Sequence, residues 1–331
     1  MGLFDKVKGP VFLKEDSIAE IQLAALEQLL PQAPAGMVPK IEKEIRNQRA
    51  GIAGEKQILF ELKNSHIPMY VLHDLYLEYE GLSAQIDFLV ITRRRNFVIE
   101  CKNLYGNIEI NNHGDFIRHM TYRGRNYSEK MYSPITQNER HLALIKQLRM
   151  AEKGNILTKT FLDKNFDVNY RSVIVIANSK TILNDKYAKK EIKNKVIPAD
   201  RLVSYIKMVN SEKNAEDCFE KDMISLAEFF LNSHREQPDF VEKFKKQIME
   251  MKENEQEAEE KIEEQIAVFA DEVEKVTEKT NTDTEATGQI LCPRCGAPMV
   301  RRTAAKGVNA GKEFYGCSRF PRCRGIVNIQ D

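Results

Sequence analysis

The apolar positions of the chain are densest between Gln85 and Lys102, QIDFLVITRRRNFVIECK, where IDFLVI and NFVIEC flank the basic connection Arg93-Arg94-Arg95. Both runs are short and rich in Val, Ile and Phe, which predicts buried strands. A connection of hairpin size makes them antiparallel neighbours. Upstream, KIEKEIRNQRAGIAGEKQILFELKN repeats apolar residues at helical spacing through Ile52, Ile58 and Leu62. Gly51 and Gly54 interrupt that helix and would let another backbone or a ligand approach. A strand is predicted over Tyr70 to Tyr79, and the run Tyr170 to Asn178 reads as a buried strand of the parallel or central kind. Between them lies a β-meander, residues 103–132, that interleaves Arg118, Arg123, Arg125 and Lys130 with Phe116, Tyr122 and Tyr127. Ser133 and Pro134 predict a helix start as N-cap and first helical residue. Asp200 is the expected cap of a later helix, and helical pattern runs on to about Asn232.

The flanks divide the chain further. Residues 1–39 hold a weakly amphipathic helical segment, IAEIQLAALEQLL, closed by a proline-rich break. The pattern leaves open whether it packs on the core. Residues 40–232 read as α-β with a mixed sheet covered by helices. From 233 to 280 Glu and Lys dominate, while Val241, Phe244, Ile248, Met251, Ala258, Ile262, Ile266, Phe269, Val273 and Val276 recur at helical spacing. That long charged helix serves equally as a spacer or as a coiled coil that makes a homodimer through residues 241–276. Polar residues 281–289 form a flexible linker, and residues 290–331 a small terminal module.

Composition narrows the function classes. The 331 residues are 42% hydrophobic and 30% charged, with a formal net charge of +1. No run is long enough to span a bilayer, the start lacks a signal-peptide core, and Lys6 stands where an N-myristoylation motif needs Ser or Thr. The expected location is cytoplasmic, with no membrane partner. Four of the six cysteines, Cys292, Cys295, Cys317 and Cys323, crowd into the terminal module, CPRC and CSRFPRC. Without a secretion signal, two such pairs predict a structural Zn²⁺ held by four thiolates, and a domain this small needs the metal to fold. Arg301, Arg302, Lys306, Lys312, Arg319, Arg322 and Arg324 surround them, with Phe314, Tyr315 and Phe320 interleaved. Cations for phosphates and aromatic faces for bases suit DNA, single strands included. The pattern CPxCGxPMVxR…FYGCSRFPxCRG resembles the zinc ribbons appended to bacterial type IA topoisomerases, which implies nucleic-acid binding.

Three charges stand inside the apolar hairpin: Asp87, Glu100 and Lys102. Alternation puts Glu100 and Lys102 on one strand face, and Asp87 can join them if the register allows. Paired carboxylates would gather a hard cation such as Mg²⁺ or Mn²⁺, and a neighbouring lysine suits metal-assisted phosphodiester hydrolysis. Glu55, following Gly54, reads on its own as a solvated helix carboxylate. The segments GEKQILFEL, VLHDLYL, AQIDFLVI, FVIECKNLYGNI and SPITQNERHL, in that order, resemble the nuclease-related domain, NERD, over residues 46–148. That family is related to the PD-(D/E)xK restriction-endonuclease-like superfamily. The resemblance implies a restriction-endonuclease-like mixed sheet and a Mg²⁺- or Mn²⁺-dependent nuclease site. In it Asp87, Glu100 and the backbone carbonyl of Cys101 hold the metal, Lys102 is the catalytic lysine, and Glu55 and Gln137 are the helical acid and polar residue. Phe88 stands where the family often carries His. The expected function is a nuclease in DNA processing; the alternative is an inactive DNA-binding protein on a retained nuclease fold. His66, His73, His113, His119 and His141 show no ligand spacing and read as surface or core residues.

Overall fold

The computed structural model describes residues 7–214, 217–281, 290–306 and 310–329. Residues 282–289 of the expected linker lie outside the described residues, as do the side chains of Phe269, Val273 and Val276 in the apolar seam. The chain forms two compact units, one ending at Glu253 and one starting at Asn254.

The first unit runs β1 (Pro10–Lys14), α1 (Ile18–Leu29), α2 (Val38–Lys63), β2 (Met69–Tyr79), β3 (Leu82–Thr92), β4 (Asn96–Lys102), β5 (Asn107–Ile110), β6 (Phe116–Tyr122), β7 (Arg125–Met131), α3 (Pro134–Glu152) and α4 (Ile156–Asn169). It continues with β8 (Tyr170–Ile176), β9 (Leu183–Asn184), α5 (Lys190–Lys193), β10 (Val196–Pro198), α6 (Leu202–Asn210), α7 (Glu220–Ser233) and the first turns of α8 (Val241–Asn281). The main sheet is mixed, in the order β1-β2-β3-β4-β8-β10. β2, β3 and β4 are antiparallel, whereas β8 lies parallel to β4, as its unbroken apolar run requires. Helices cover both faces: Leu144, Phe166 and Phe230 of α3, α4 and α7 pack on one side. On the other, Ile58, Leu62, Leu202 and Ile206 of α2 and α6 close a second core. A smaller sheet, β7-β6-β5-β9, is joined to the first by Ile108, Ile110 and Phe116 packing on Ile174 and Ile176.

Residues before α2 belong to this architecture. β1 pairs parallel with β2 at the sheet edge, a strand that the periodicity of the first residues did not announce. α1 packs on α2, and Leu26, Met37, Ile41 and Ile45 bury Val241 and Ile248 of α8 between them. Beyond residue 253 the described seam positions are bare: Ile262 and Ile266 are 56% and 63% exposed. Asp200 lies in a 3-10 turn, and no side chain caps α6.

Strict alternation fails at one level of the sheet, and the failure places the candidate site. On β3, Ala84 and Ile86 face the α3 side, but so do Leu89 and Ile91, while Phe88 and Val90 face α2. β2 slips at the matching point: Tyr70 and Leu72 share the face of Leu75 and Leu77. The residues that absorb these slips are Asp74, with φ of 53°, and Asp87, between the paired positions His73–Phe88 and Leu75–Ile86. A non-glycine residue in left-handed backbone is sustained by its surroundings. Here the buried Asp74 carboxylate accepts hydrogen bonds from Ser17 Oγ at 2.8 Å, the Ile18 amide at 3.0 Å and Gln85 Nε2 at 2.9 Å. It thereby fastens the start of α1 to the sheet.

Gly54 seats α2 against the end of β4. A Cβ there would come within 2.6 Å of Asn103 Cβ and 3.0 Å of Cys101 Sγ. Asn103 Nδ2 donates to the Ala50 carbonyl at 2.7 Å across the same contact. The approach that this glycine permits is that of strand and helix, and it delivers Glu55 to the sheet.

Gly54→Ala should cost about 1–3 kcal/mol through overpacking, read as a lower urea midpoint at unchanged m-value. Asp74→Ala should cost roughly 3 kcal/mol by leaving three donors without their charged acceptor. Burial raises the Asp74 carboxyl pKa, but the Gln85, Ser17 and Ile18 bonds outweigh it and hold it below the usual range. The stability it supplies is therefore present above the ordinary carboxylate pKa of about 3.9 and lost as pH falls through the lower folded value. Thermal melts of wild type and Asp74→Ala should converge in that acid range and separate toward neutrality.

Candidate active site and zinc centre

The ladder between β3 and β4 ends at Phe88–Ile99. One step further Asp87 comes opposite Glu100, and instead of continuing the ladder its Oδ2 accepts the Cys101 amide at 2.6 Å. The expected convergence thus depends on a register set by the apolar residues below it. Glu100 is 2% exposed. Its Oε1 accepts from Lys102 Nζ at 2.6 Å, and Lys102 also donates to Gln137 Oε1 on α3 at 3.1 Å. Ser133 caps α3 by accepting the Thr136 amide, and Asn138, fully buried, donates to the Val98 carbonyl and Ser172 Oγ. These bonds lock the helix that carries Gln137 onto β4 and β8.

Glu55 reaches the site from α2. Its Oε2 lies 3.0 Å from His73 Nε2, while His73 Nδ1 lies 2.8 Å from the Glu15 carbonyl. Both ring nitrogens face acceptors, which an imidazolium satisfies and a neutral ring does not. Burial lowers the His73 pKa, but the Glu55 and Glu15 bonds outweigh it and leave it raised. The ring also stacks on Phe88, centroids 4.6 Å apart. A second histidine, His141 of α3, has Nδ1 3.6 Å from Glu100 Oε2. Burial, assisted by Lys102, lowers its pKa to about 4, so it adds no charge at neutral pH. The sequence pattern presents His73 and His141 as ordinary core or surface residues. The signal for His73 lay in a polar pair, His-Asp, interrupting an apolar strand.

The electrostatics follow from crowding. Burial raises the Asp87 carboxyl well above the usual range, and Glu100 and Glu55 raise it further. Glu100 is raised as well, chiefly by burial and against the pull of Lys102. Burial lowers Lys102, but Glu100 and Asp87 more than compensate and hold it charged. Three acids thus share two cations, Lys102 and His73. One oxygen, Glu100 Oε2, is buried without a hydrogen-bond partner among the described residues. A divalent cation bound by hard oxygens matches both the surplus charge and the orphaned acceptor. The predicted residues Asp87, Glu100, Lys102, Gln137 and Glu55 therefore meet in one place. A larger cleft, about 640 Å³, opens elsewhere. Of its lining residues, Lys195, Glu139, Arg171 and Glu212 form two ion pairs, and its walls bring no carboxylates together around a buried lysine.

The second unit contains β11 (Met299–Thr303), β12 (Glu313–Cys317) and β13 (Ile326–Asn328) in one antiparallel sheet. Cys292, Cys295, Cys317 and Cys323 place their Sγ atoms within 4.8 Å of one another. Cys292 and Cys323 are 3.8 Å apart, Cys295 and Cys317 3.4 Å. Tetrahedral zinc with bonds of about 2.3 Å needs sulfurs about 3.8 Å apart, so the four cysteines form a zinc-binding site. Around it Arg301, Arg302, Lys306, Lys312, Arg319, Arg322 and Arg324 are exposed. Arg301 pairs with Glu313, whereas Arg302 lies over the exposed Phe320 ring, 5.7 Å from its centroid.

No curated protein and no solved structure matches the chain. Family models do match. Residues 50–177 fit that of the nuclease-related domain, spanning every residue of the carboxylate site. Residues 289–331 fit that of the topoisomerase DNA-binding C4 zinc finger. The chain carries a NERD domain and a topoisomerase-type C4 zinc ribbon.

Proposed function

We propose that the carboxylate site hydrolyses phosphodiester bonds of DNA with Mg²⁺ or Mn²⁺, and that the zinc ribbon is a second DNA contact. The observation that carries this reading is the meeting of Asp87, Glu100 and Lys102 around a buried, unsatisfied Glu100 oxygen. Asp87, Glu100 and the Cys101 carbonyl would hold the ion. When bound, such a metal polarises a phosphate oxygen and lowers the pKa of a coordinated water. Lys102, charged and held by Glu100 and Gln137, is placed to orient the attacking water and offset negative charge developing on the phosphate. Glu55, fixed by His73, supplies a third carboxylate toward the same centre.

A second reading rests on one contact. The direct Lys102–Glu100 pair at 2.6 Å is what a closed structural ion network would show, with the fold retained for DNA binding alone. In either case the Arg302–Phe320 pair of the ribbon suits stacking against an unpaired base, which supports affinity for single strands. Ile262 and Ile266, bare on α8, support a homodimer through that helix.

With Mg²⁺ or Mn²⁺ the purified chain should cut labelled DNA, and Glu100→Gln and Lys102→Ala should each slow cutting roughly 10²-fold or more. If no single-stranded, duplex or branched DNA is cut while binding persists, the inactive reading holds. A thiol-modifying mercurial should release about one zinc per chain and weaken single-strand binding, read by metal-dye absorbance and fluorescence anisotropy.

A further inference from the structure

The β6–β7 ribbon has no part in the chemistry above, yet its chain leaves the site and returns to it. It departs from Lys102 through β5 and re-enters at α3, where Gln137 accepts the Lys102 hydrogen bond. Register divides the two strands into faces. On one, Phe116 pairs with Met131, Arg118 with Glu129, Met120 with Tyr127 and Tyr122 with Arg125. At the base of that face Phe116 and Met131 join the apolar core with Ile108 and Ile110. Toward the tip the same face changes character: Tyr122 and Tyr127 are 61% and 45% exposed, with Arg125 between them in sequence. Arg123, in the two-residue turn, lies 5.3 Å from the Tyr122 ring centroid.

The charge is one-sided. From Phe116 to Met131 there are four cations, Arg118, Arg123, Arg125 and Lys130, against one acid, Glu129. Arg118 pairs with Glu129 and Lys130 with Asp115, which leaves the arginines of the tip, Arg123 and Arg125, without an ion pair among the described residues. Position is equally specific. Gly106, with φ of 97°, lies against the ribbon: a Cβ there would meet the His119 carbonyl at 2.4 Å and Met120 Cγ at 2.8 Å. Gly106 follows Lys102 by four positions, at most roughly 14 Å of chain. A helical turn of duplex DNA is about 34 Å long, so a duplex whose phosphate sits at the carboxylates extends well past the ribbon.

We propose that the β6–β7 ribbon is a duplex-DNA contact of the nuclease-related domain, Arg123 and Arg125 meeting phosphates as its tip enters the major groove. The inference rests on the carboxylate site acting on DNA and adds the substrate form, double strand. B-DNA's major groove admits a two-stranded β-ribbon, whereas the deep, narrow major groove of duplex RNA does not.

Binding is the test, measured by fluorescence anisotropy with full-length chain carrying Glu100→Gln, so that affinity is read without cutting. Adding Arg123→Asn and Arg125→Ala should weaken binding of a labelled DNA duplex at least roughly tenfold and flatten its log K against log salt slope by about 1.8. Single-stranded DNA affinity, carried by the zinc ribbon, should change by less than about twofold. Lysine at both positions should recover most of the duplex affinity, which a folding defect would not allow. Unchanged duplex affinity and slope overturn the proposal, as does an equal loss on single-stranded DNA or duplex RNA. Cutting by wild type with a neutral tip variant removes the ribbon and keeps the nuclease. A tip-dependent duplex complex without cutting does the reverse.

Discussion

Three carboxylates within electrostatic reach of one another, at the mouth of a dry sheet, constrain everything around them. Carboxylates leave water at a cost of several kcal/mol each unless cations or donors replace the lost hydration. The fold answers with a backbone amide for Asp87, a lysine for Glu100 and a charged histidine for Glu55. Each answer draws on a different element. Cys101 and Lys102 come from β4, His73 from β2, and Gln137, which steadies the lysine, from α3. Compensation remains incomplete, since Asp87 and Glu100 stay above the usual carboxylate range and one Glu100 oxygen has no donor among the described residues. An incompletely neutralised cluster is a poor stabilising device and a good receptor for a divalent cation.

The distortion of β2 and β3 serves the same cluster. A regular antiparallel pair would send Asp87 squarely to one face of the sheet, where either the α3 or the α2 core would have to accommodate a charge. Slipping both strands at the level of Asp74 and Asp87 keeps the ladder paired on either side. It leaves Asp87 between the two faces, sensing Glu100 from one and Glu55 from the other. Asp74, the counterpart on β2, uses the irregularity to collect three donors.

Much of this was legible in the residues. The hairpin of Gln85–Lys102, the parallel β8, the helix start at Ser133–Pro134 and the cysteine pairs all follow from period, turn chemistry and spacing. The meeting of Asp87 with Glu100 did not, because strand register depends on which apolar residues pair across the sheet. Alternation alone would misplace the face of half of β3. β1 was hidden because PVFLK is too short to show a period and earns its place only against β2. The role of His73 is not legible in the residues: the His-Asp pair marks a polar break in an apolar strand, but the two acceptors, Glu15 and Glu55, are brought beside the ring by separate elements.

The strap at Glu15 has a wider meaning. Its carbonyl, one residue past β1, holds the histidine that holds Glu55, and the next turn of chain supplies Ser17 and Ile18 to Asp74. The region that matches the nuclease-related domain begins at residue 50, after all of these groups. The recognisable segment is therefore not the smallest self-sufficient one. A fragment cut at the family boundary would keep every acid and the lysine, yet would lose the clasp that orients one of those acids. Homology outlines the machinery here, and the leader before it completes the fit.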